Sequence, residues 1–185
     1  MNIIICGGPG AGKETQGVNI SKELDLERIV TGDILRAEAN SESPLGIDIK
    51  VYIDNGNLVP DSLLNMTIAK HVSKLKKAQK GIIFDGFPRR RSQAEFLDTI
   101  CNIDIVIGLE VSDENLKTRL LKRAETSTRI DDKDINVINH RINVYHTETT
   151  PIIDHYKSKN KYVAIDGNQS IDDIYSDILK VVSNL

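Results

Sequence analysis

The chain has no tryptophan, only three phenylalanines and five tyrosines among 185 residues. With so few rings the core has to be aliphatic, and runs such as Ile3-Ile4-Ile5 supply it. Cysteine is scarcer still. Cys6 and Cys101 alone cannot build a zinc site and do not suggest a disulfide scaffold. Cys6 ends one apolar run and Cys101 precedes another, so both read as buried free thiols in a reducing compartment. No apolar stretch approaches the roughly 18 residues of a membrane span, and no basic segment precedes the short N-terminal apolar run. Excess positive charge is also missing. The 24 Lys and Arg against 27 Asp and Glu leave a net charge of -3, a poor match to nucleic-acid polymers or anionic membranes. The expectation is a soluble cytoplasmic protein with neither partner.

What is present is enough for one compact domain: 39% apolar and 28% charged residues. Short β-branched runs at 2–6, 28–30, 81–84, 103–109 and 161–165 alternate with amphipathic stretches at 13–24, 61–77, 91–100, 113–123, 134–157 and 171–182. Alternating βα units predict an α/β fold, a parallel sheet with helices on both faces. Two segments break the alternation. Residues 31–60 carry two short helical patterns interrupted by Ser43-Pro44 and Asn55-Gly56-Asn57, and residues 124–134 are polar without an apolar stripe. Both read as surface insertions, and long insertions in a compact domain more often cover a site than decorate it.

Gly7-Gly8-Pro9-Gly10-Ala11-Gly12-Lys13 follows the first strand and opens a helix. That is G-x-x-x-x-G-K in the context that gives the motif meaning. Glycines let successive N–H groups turn inward onto phosphate oxygens, the helix adds its positive end, and Lys13 adds a mobile cation. The motif has Ser or Thr after its lysine; here Glu14 stands there, followed by Thr15. A carboxylate about 6 Å from a phosphate would be repelled by on the order of 3 kcal/mol at a dielectric of about 20, less when solvated. Asp85 ends the run Ile82-Ile83-Phe84, and a carboxylate at that strand end suits Mg²⁺ or its water shell. Arg36, Arg89, Arg119, Arg123, Arg129 and Arg141 lie near loops or insertions, and arginine is suited to gripping and neutralising phosphate. Taken singly, each reads more readily as a solvated surface charge.

The order of these segments resembles the adenylate kinases, within the nucleoside monophosphate kinase family, nearly end to end. The resemblance rests on Gly7 to Gln16, on Thr31-Gly32-Asp33-Ile34-Leu35-Arg36, on Gly56-Asn57-Leu58-Val59-Pro60, and above all on Asp85-Gly86-Phe87-Pro88-Arg89 with Gln93 beyond it. Arg119 to Arg123, Arg129 with Asp131-Asp132, Arg141, and Ile165 to Gln169 continue the register. It implies a P-loop three-layer sandwich with a five-stranded parallel sheet, plus a small monophosphate-binding lobe and a short lid. The core would be residues 1–30, 60–123 and 136–185, the lobe 31–59 and the lid 124–135. The lid has no cysteine, so no structural zinc is expected. Ala124 and Thr128 stand where the family usually has glycine, which would narrow the lid's hinge freedom.

By the same resemblance the reaction is reversible phosphoryl transfer from MgATP to AMP, giving two ADP, by a monomer. Lys13, Arg123, Arg129 and Arg141 would be catalytic. Gly10, Ala11, Gly12, Lys13, Glu14, Thr15, Arg119, Arg123 and Gln169 would bind ATP. AMP would meet Thr31, Arg36, Asn57, Leu58, Val59, Gly86, Phe87, Pro88, Arg89, Gln93, Arg129 and Arg141, and Asp85 would reach Mg²⁺ through water. Thr31 and Gln93 favour adenine, because a glutamine amide can pair with an amino donor and a ring-nitrogen acceptor at once. The alternatives are a UMP/CMP kinase and, on account of Glu14, a nucleotide-binding protein with a decayed active site.

Overall fold

The computed structural model describes residues 1–41, 43–126 and 130–185. Its centre is a five-stranded parallel sheet in the order β2-β3-β1-β4-β5. The strands are β1 (Asn2–Gly7), β2 (Glu27–Val30), β3 (Ile82–Asp85), β4 (Ile105–Glu110) and β5 (Tyr162–Asp166). Each begins and ends within two residues of the run that predicts it. The helices are α1 (Lys13–Glu23), α2 (Thr31–Ala39), α3 (Pro44–Asp54), α4 (Asp61–Lys77), α5 (Arg91–Ile100), α6 (Asp113–Thr126), α7 (Ile135–Val144), α8 (Thr150–Lys157) and α9 (Ile171–Val182).

Side-chain alternation sorts the β1 residues into two cores. Ile4 and Cys6 face a layer that includes Ile68 and Val72 of α4, Leu97 of α5 and Tyr156 of α8. Ile3 and Ile5 face Ile20 of α1, Leu116 and Leu120 of α6, and Ile174 and Ile178 of α9. The result is the predicted three-layer sandwich. Its cores are almost entirely aliphatic, as the shortage of aromatic residues requires. Both cysteines are buried and unpaired, and burial pushes the Cys6 thiol up to about 12.

Local signals account for several helix boundaries. Ser43 accepts a hydrogen bond from the Gly46 amide (2.9 Å) and Pro44 follows it as the first residue of α3. Asp134 caps α7 through the Asn136 amide (2.7 Å), and Ser170 caps α9 through Asp173 (3.2 Å). Elsewhere the structure departs from the sequence pattern. The helix expected over 134–157 is divided by a π-helical turn, Tyr145–Thr149, between α7 and α8. Pro151 is the second residue of the stretch after it, and a residue without an N–H cannot continue the regular ladder. Likewise α6 runs on to Thr126, so Ala124, expected at a hinge, is inside a helix that alanine favours. Thr128 and Arg129 lie outside the described residues.

With β1 between β3 and β4, the sheet reverses direction of growth beside the phosphate loop. In parallel α/β sheets such a switch point opens a crevice at the carboxyl ends of the strands. Gly7, Val30 and Asp85 all end their strands there.

Candidate active site

A cleft of about 720 Å³ occupies that crevice. Its walls bring together Lys13 of α1, Arg36 of α2, Arg89, Arg119 and Arg123 of α6, and Arg141 of α7. A smaller side pocket of about 80 Å³ shares Arg36, Arg89 and Arg141 with it and extends to Thr31, Asn57, Leu58, Val59 and Gln93. Gly10, Ala11, Gly12, Glu14, Thr15, Gly86, Pro88 and Gln169 also line the main cleft. Of the remaining expected residues, Phe87 is buried in the core against the sheet and lines neither space. It can hold the turn between Gly86 and Arg89 from behind, with no surface of its own toward a ligand.

The phosphate loop is shaped by two conformational requirements. Gly12, immediately before α1, has φ +93°, a left-handed conformation that other L-residues rarely adopt. Gly10 has φ +84°, and a Cβ there would press on Leu120 Cγ (3.1 Å) and the Leu116 carbonyl (3.2 Å). Among the described residues, no side chain caps the N-terminus of α1. Its first amides therefore remain available to an anion, reinforced by the helix dipole. Lys13 Nζ donates to the carbonyls of Gly7 (2.8 Å) and Gly8 (2.7 Å), leaving one of its three protons for a ligand. Burial pulls this ammonium down to about 8, with Asp85 opposing and Arg89 and Arg141 reinforcing the shift. Glu14 is exposed on the first turn of α1.

Acidic side chains and backbone carbonyls hold these arginines in position. Arg123 grips Asp132 with two bonds, Nε to Oδ2 (2.6 Å) and Nη2 to Oδ1 (2.9 Å). Arg141 reaches Asp132 Oδ1 (2.7 Å) and Asp131 Oδ2 (2.6 Å). Asp132 is 0% exposed. Burial by itself would raise its pKa, but hydrogen bonds and charge from Arg123 and Arg141 hold it below the usual carboxylate range. Arg36 pairs with Asp33 at 2.7 Å, Arg89 Nε donates to the Gly86 carbonyl (3.0 Å), and Arg119 Nη2 donates to the Gly167 carbonyl (2.8 Å). Burial and the nearby Arg141 bring Arg89 down to about 10, which leaves it charged at neutral pH.

Neutral polar groups distinguish the side pocket. Thr31 is buried, and its hydroxyl has no hydrogen-bond partner among the described residues. Gln93 is 1% exposed. Its oxygen accepts from the Arg89 amide (2.7 Å) and its nitrogen donates to Asp61 Oδ1 (2.7 Å). That leaves one donor and one acceptor on the amide. Leu35, Ile53, Val59 and Leu64 supply the apolar walls.

The model of the adenylate kinase family matches residues 5–161. The chain is 43% identical to an adenylate kinase of Parabacteroides distasonis over 190 aligned positions, which cover all of this chain and 99% of that protein. It is 41% identical to an adenylate kinase of Bacteroides thetaiotaomicron, with both proteins covered completely. It is 40% identical to one of Micrococcus luteus over 97% of this chain and 89% of that relative. The chain belongs to the adenylate kinase family.

Two features of this adenylate kinase family member were not visible in its sequence. Arg28 Nη2 lies 3.3 Å from Asp85 Oδ2, so the carboxylate expected to face Mg²⁺ already has a cationic neighbour. Arg28 looks like an ordinary strand residue until β2 is laid in register beside β3. Asp61 is the other; it reads as the acidic first residue of a helix. No three or more His, Cys, Asp or Glu side chains among the described residues are grouped to hold a metal ion. No helix among them is long and apolar enough to cross a membrane.

Proposed function

We infer that the protein catalyses reversible phosphoryl transfer between MgATP and AMP, producing two ADP. The observation that carries this reading is the convergence of Lys13 and five arginines on one cleft that continues into a side pocket, where Thr31, Gln93 and aliphatic side chains join the shared arginines. Polyphosphate belongs at the charged end, and a purine at the end lined by Thr31, Gln93 and aliphatic side chains. Gln93 retains one donor and one acceptor, enough for a two-point contact with adenine.

In this reading an oxygen of the AMP phosphate attacks the γ-phosphorus in line. The new P–O bond forms as the bond from that phosphorus to the bridging oxygen breaks, and ADP leaves. No protein nucleophile takes part, so the protein's work is positioning and charge neutralisation. Lys13 and the loop amides hold the ATP phosphates, while Arg119 and Gln169 border its base. Arg36 and Arg89 grip the AMP phosphate. Arg123 and Arg141, already aimed by Asp131 and Asp132, surround the transferring group. Asp85 and Thr15 fit a Mg²⁺ that arrives with its nucleotide better than a resident ion, since they are too few to hold one alone. Bound there, Mg²⁺ would neutralise charge on the β- and γ-phosphates. Residues 31–59 form the monophosphate-binding lobe and 124–135 the lid that excludes water during transfer. A cytoplasmic monomer, the usual form of the family, completes the proposal.

The test is direct. MgATP is supplied with AMP, UMP, CMP or GMP in turn, and ADP formation is followed. Turnover with AMP in strong preference is expected. Preference for UMP or CMP would replace the acceptor, and ATP binding without turnover on any monophosphate would overturn the activity.

A further inference from the structure

The Gln93 amide has two nearly isosteric orientations. Flipping it exchanges oxygen for NH₂ and reverses the pattern of donor and acceptor that it offers, with almost no change in shape. A pocket that tells adenine from another purine by this side chain must therefore fix the flip. Two groups do so from opposite sides. The Arg89 amide can only donate, so it must meet Oε1, at 2.7 Å. The Asp61 carboxylate can only accept, so it must meet Nε2, also at 2.7 Å.

Asp61 lines neither the cleft nor the side pocket. It stands behind Gln93 as the first residue of α4 and is itself held firmly. Ser92 Oγ donates to its Oδ2. Arg90 Nη1 donates to its Oδ1 (3.3 Å) and to the Val59 carbonyl (3.3 Å), while Arg90 Nε reaches Glu148 (3.2 Å). Burial would raise the Asp61 pKa, but the bonds from Ser92, Gln93 and Arg90 keep it below the usual carboxylate range. It remains an acceptor throughout the neutral pH range.

We propose that Asp61 is a specificity-determining positioning residue, locking the Gln93 amide in the orientation that pairs with an amino donor beside a ring-nitrogen acceptor. The proposal rests on the reading of the side pocket as the AMP base site. The decisive competitor is inosine monophosphate. Its base has a carbonyl acceptor and a ring N–H donor at the same two positions, and would be read by the flipped amide.

Steady-state kinetics with MgATP would compare AMP and inosine monophosphate as acceptors for wild type, Asp61→Ala, Asp61→Asn and Gln93→Leu. Asp61→Ala is expected to reduce the AMP-to-inosine-monophosphate ratio of kcat/KM by about tenfold, mostly through KM for the acceptor. KM for ATP should not move. Asp61→Asn retains an oxygen at the same place and should restore most of the ratio. If Gln93→Leu collapses the ratio and Asp61→Ala leaves it intact, the Arg89 amide suffices and the proposal is overturned. If Gln93→Leu also leaves it intact, the reading of the base site fails instead. A change in KM for ATP of the same size, without rescue by asparagine, would mean general disturbance and also overturns it. A measurement on the wild type guards against a variant that does not fold. The Gln93 side-chain NH₂ protons should be strongly protected from exchange with solvent; exchange at the rate of a free glutamine amide would overturn the lock.

Discussion

The two ends of the cleft solve opposite problems. At the charged end cations are brought together against their mutual repulsion, and each is tethered: Lys13 to loop carbonyls, Arg123 and Arg141 to Asp132, Arg36 to Asp33. The side pocket adds neutral groups to the arginines it shares, with Thr31 buried and unpartnered among the described residues and Gln93 half-satisfied. The contrast follows from the ligands each end suits. Phosphate charge is long-ranged and attracts any nearby cation, so the difficulty is arranging cations in advance at low reorganisation. A base carries no charge, so it is recognised only by short, directional hydrogen bonds whose geometry has to be fixed.

The contrast is broken most severely at Lys13. Lys13→Met should lower kcat by on the order of 10³-fold, while the order of preference among acceptor monophosphates stays the same. A lost preference would mean that the two ends are not separable. The same lysine predicts a pH profile. Its pKa is lowered to about 8, so in the free site its charge is lost above that pH, and polyphosphate binds the charged form. KM for ATP should be flat below pH 8 and rise by up to about tenfold per pH unit above it. A KM that stays flat well into the alkaline range would contradict the burial of this ammonium.

Next in size is the tether itself. Asp132→Asn removes the charge that faces Arg123 and Arg141 but keeps the shape. Unfolding in denaturant should show a loss of about 2–3 kcal/mol, below the range for a fully buried pair because Arg123 retains solvent contact. In the wild type the sign follows from the lowered Asp132 pKa. Its contribution is complete above the unfolded carboxylate value of 3.8 and is lost as pH falls through the lower folded value. Unchanged stability in the variant would show that the arginines need no anchoring. The smallest effect is expected at Glu14, exposed at the mouth of the loop. Glu14→Gln should lower KM for ATP a few-fold, since solvent screens most of the repulsion. An unchanged KM would place that carboxylate's field outside the phosphate path.

Much of this molecule can be read in one dimension. The phosphate loop is contiguous, and Gly10 and Gly12 have the positive φ that a glycine-rich turn calls for. The resemblance also predicted that arginines from distant segments would meet, and five of them do. What could not be read is which groups hold them. The aspartates at 131 and 132 are visible as an acidic pair, but nothing local says that one of them takes two arginines from two helices. The π turn at Tyr145–Thr149 was also hidden, because its five residues, Tyr-His-Thr-Glu-Thr, include no glycine or proline to mark a change in the backbone ladder.

The sequence alone determined the order of the elements, the aliphatic character of both cores and the glycine-rich loop that opens α1. All of these depend on residues within a few positions of one another, where periodicity and backbone angles act. Only the tertiary structure decided that Arg28 neighbours Asp85, that Asp132 joins Arg123 to Arg141, and that Asp61 stands behind Gln93. Those pairings depend on strand register and on the packing of helices against a twisted sheet. A hydrogen bond needs its two groups within about 3 Å, and that precision arises only when the whole fold has closed.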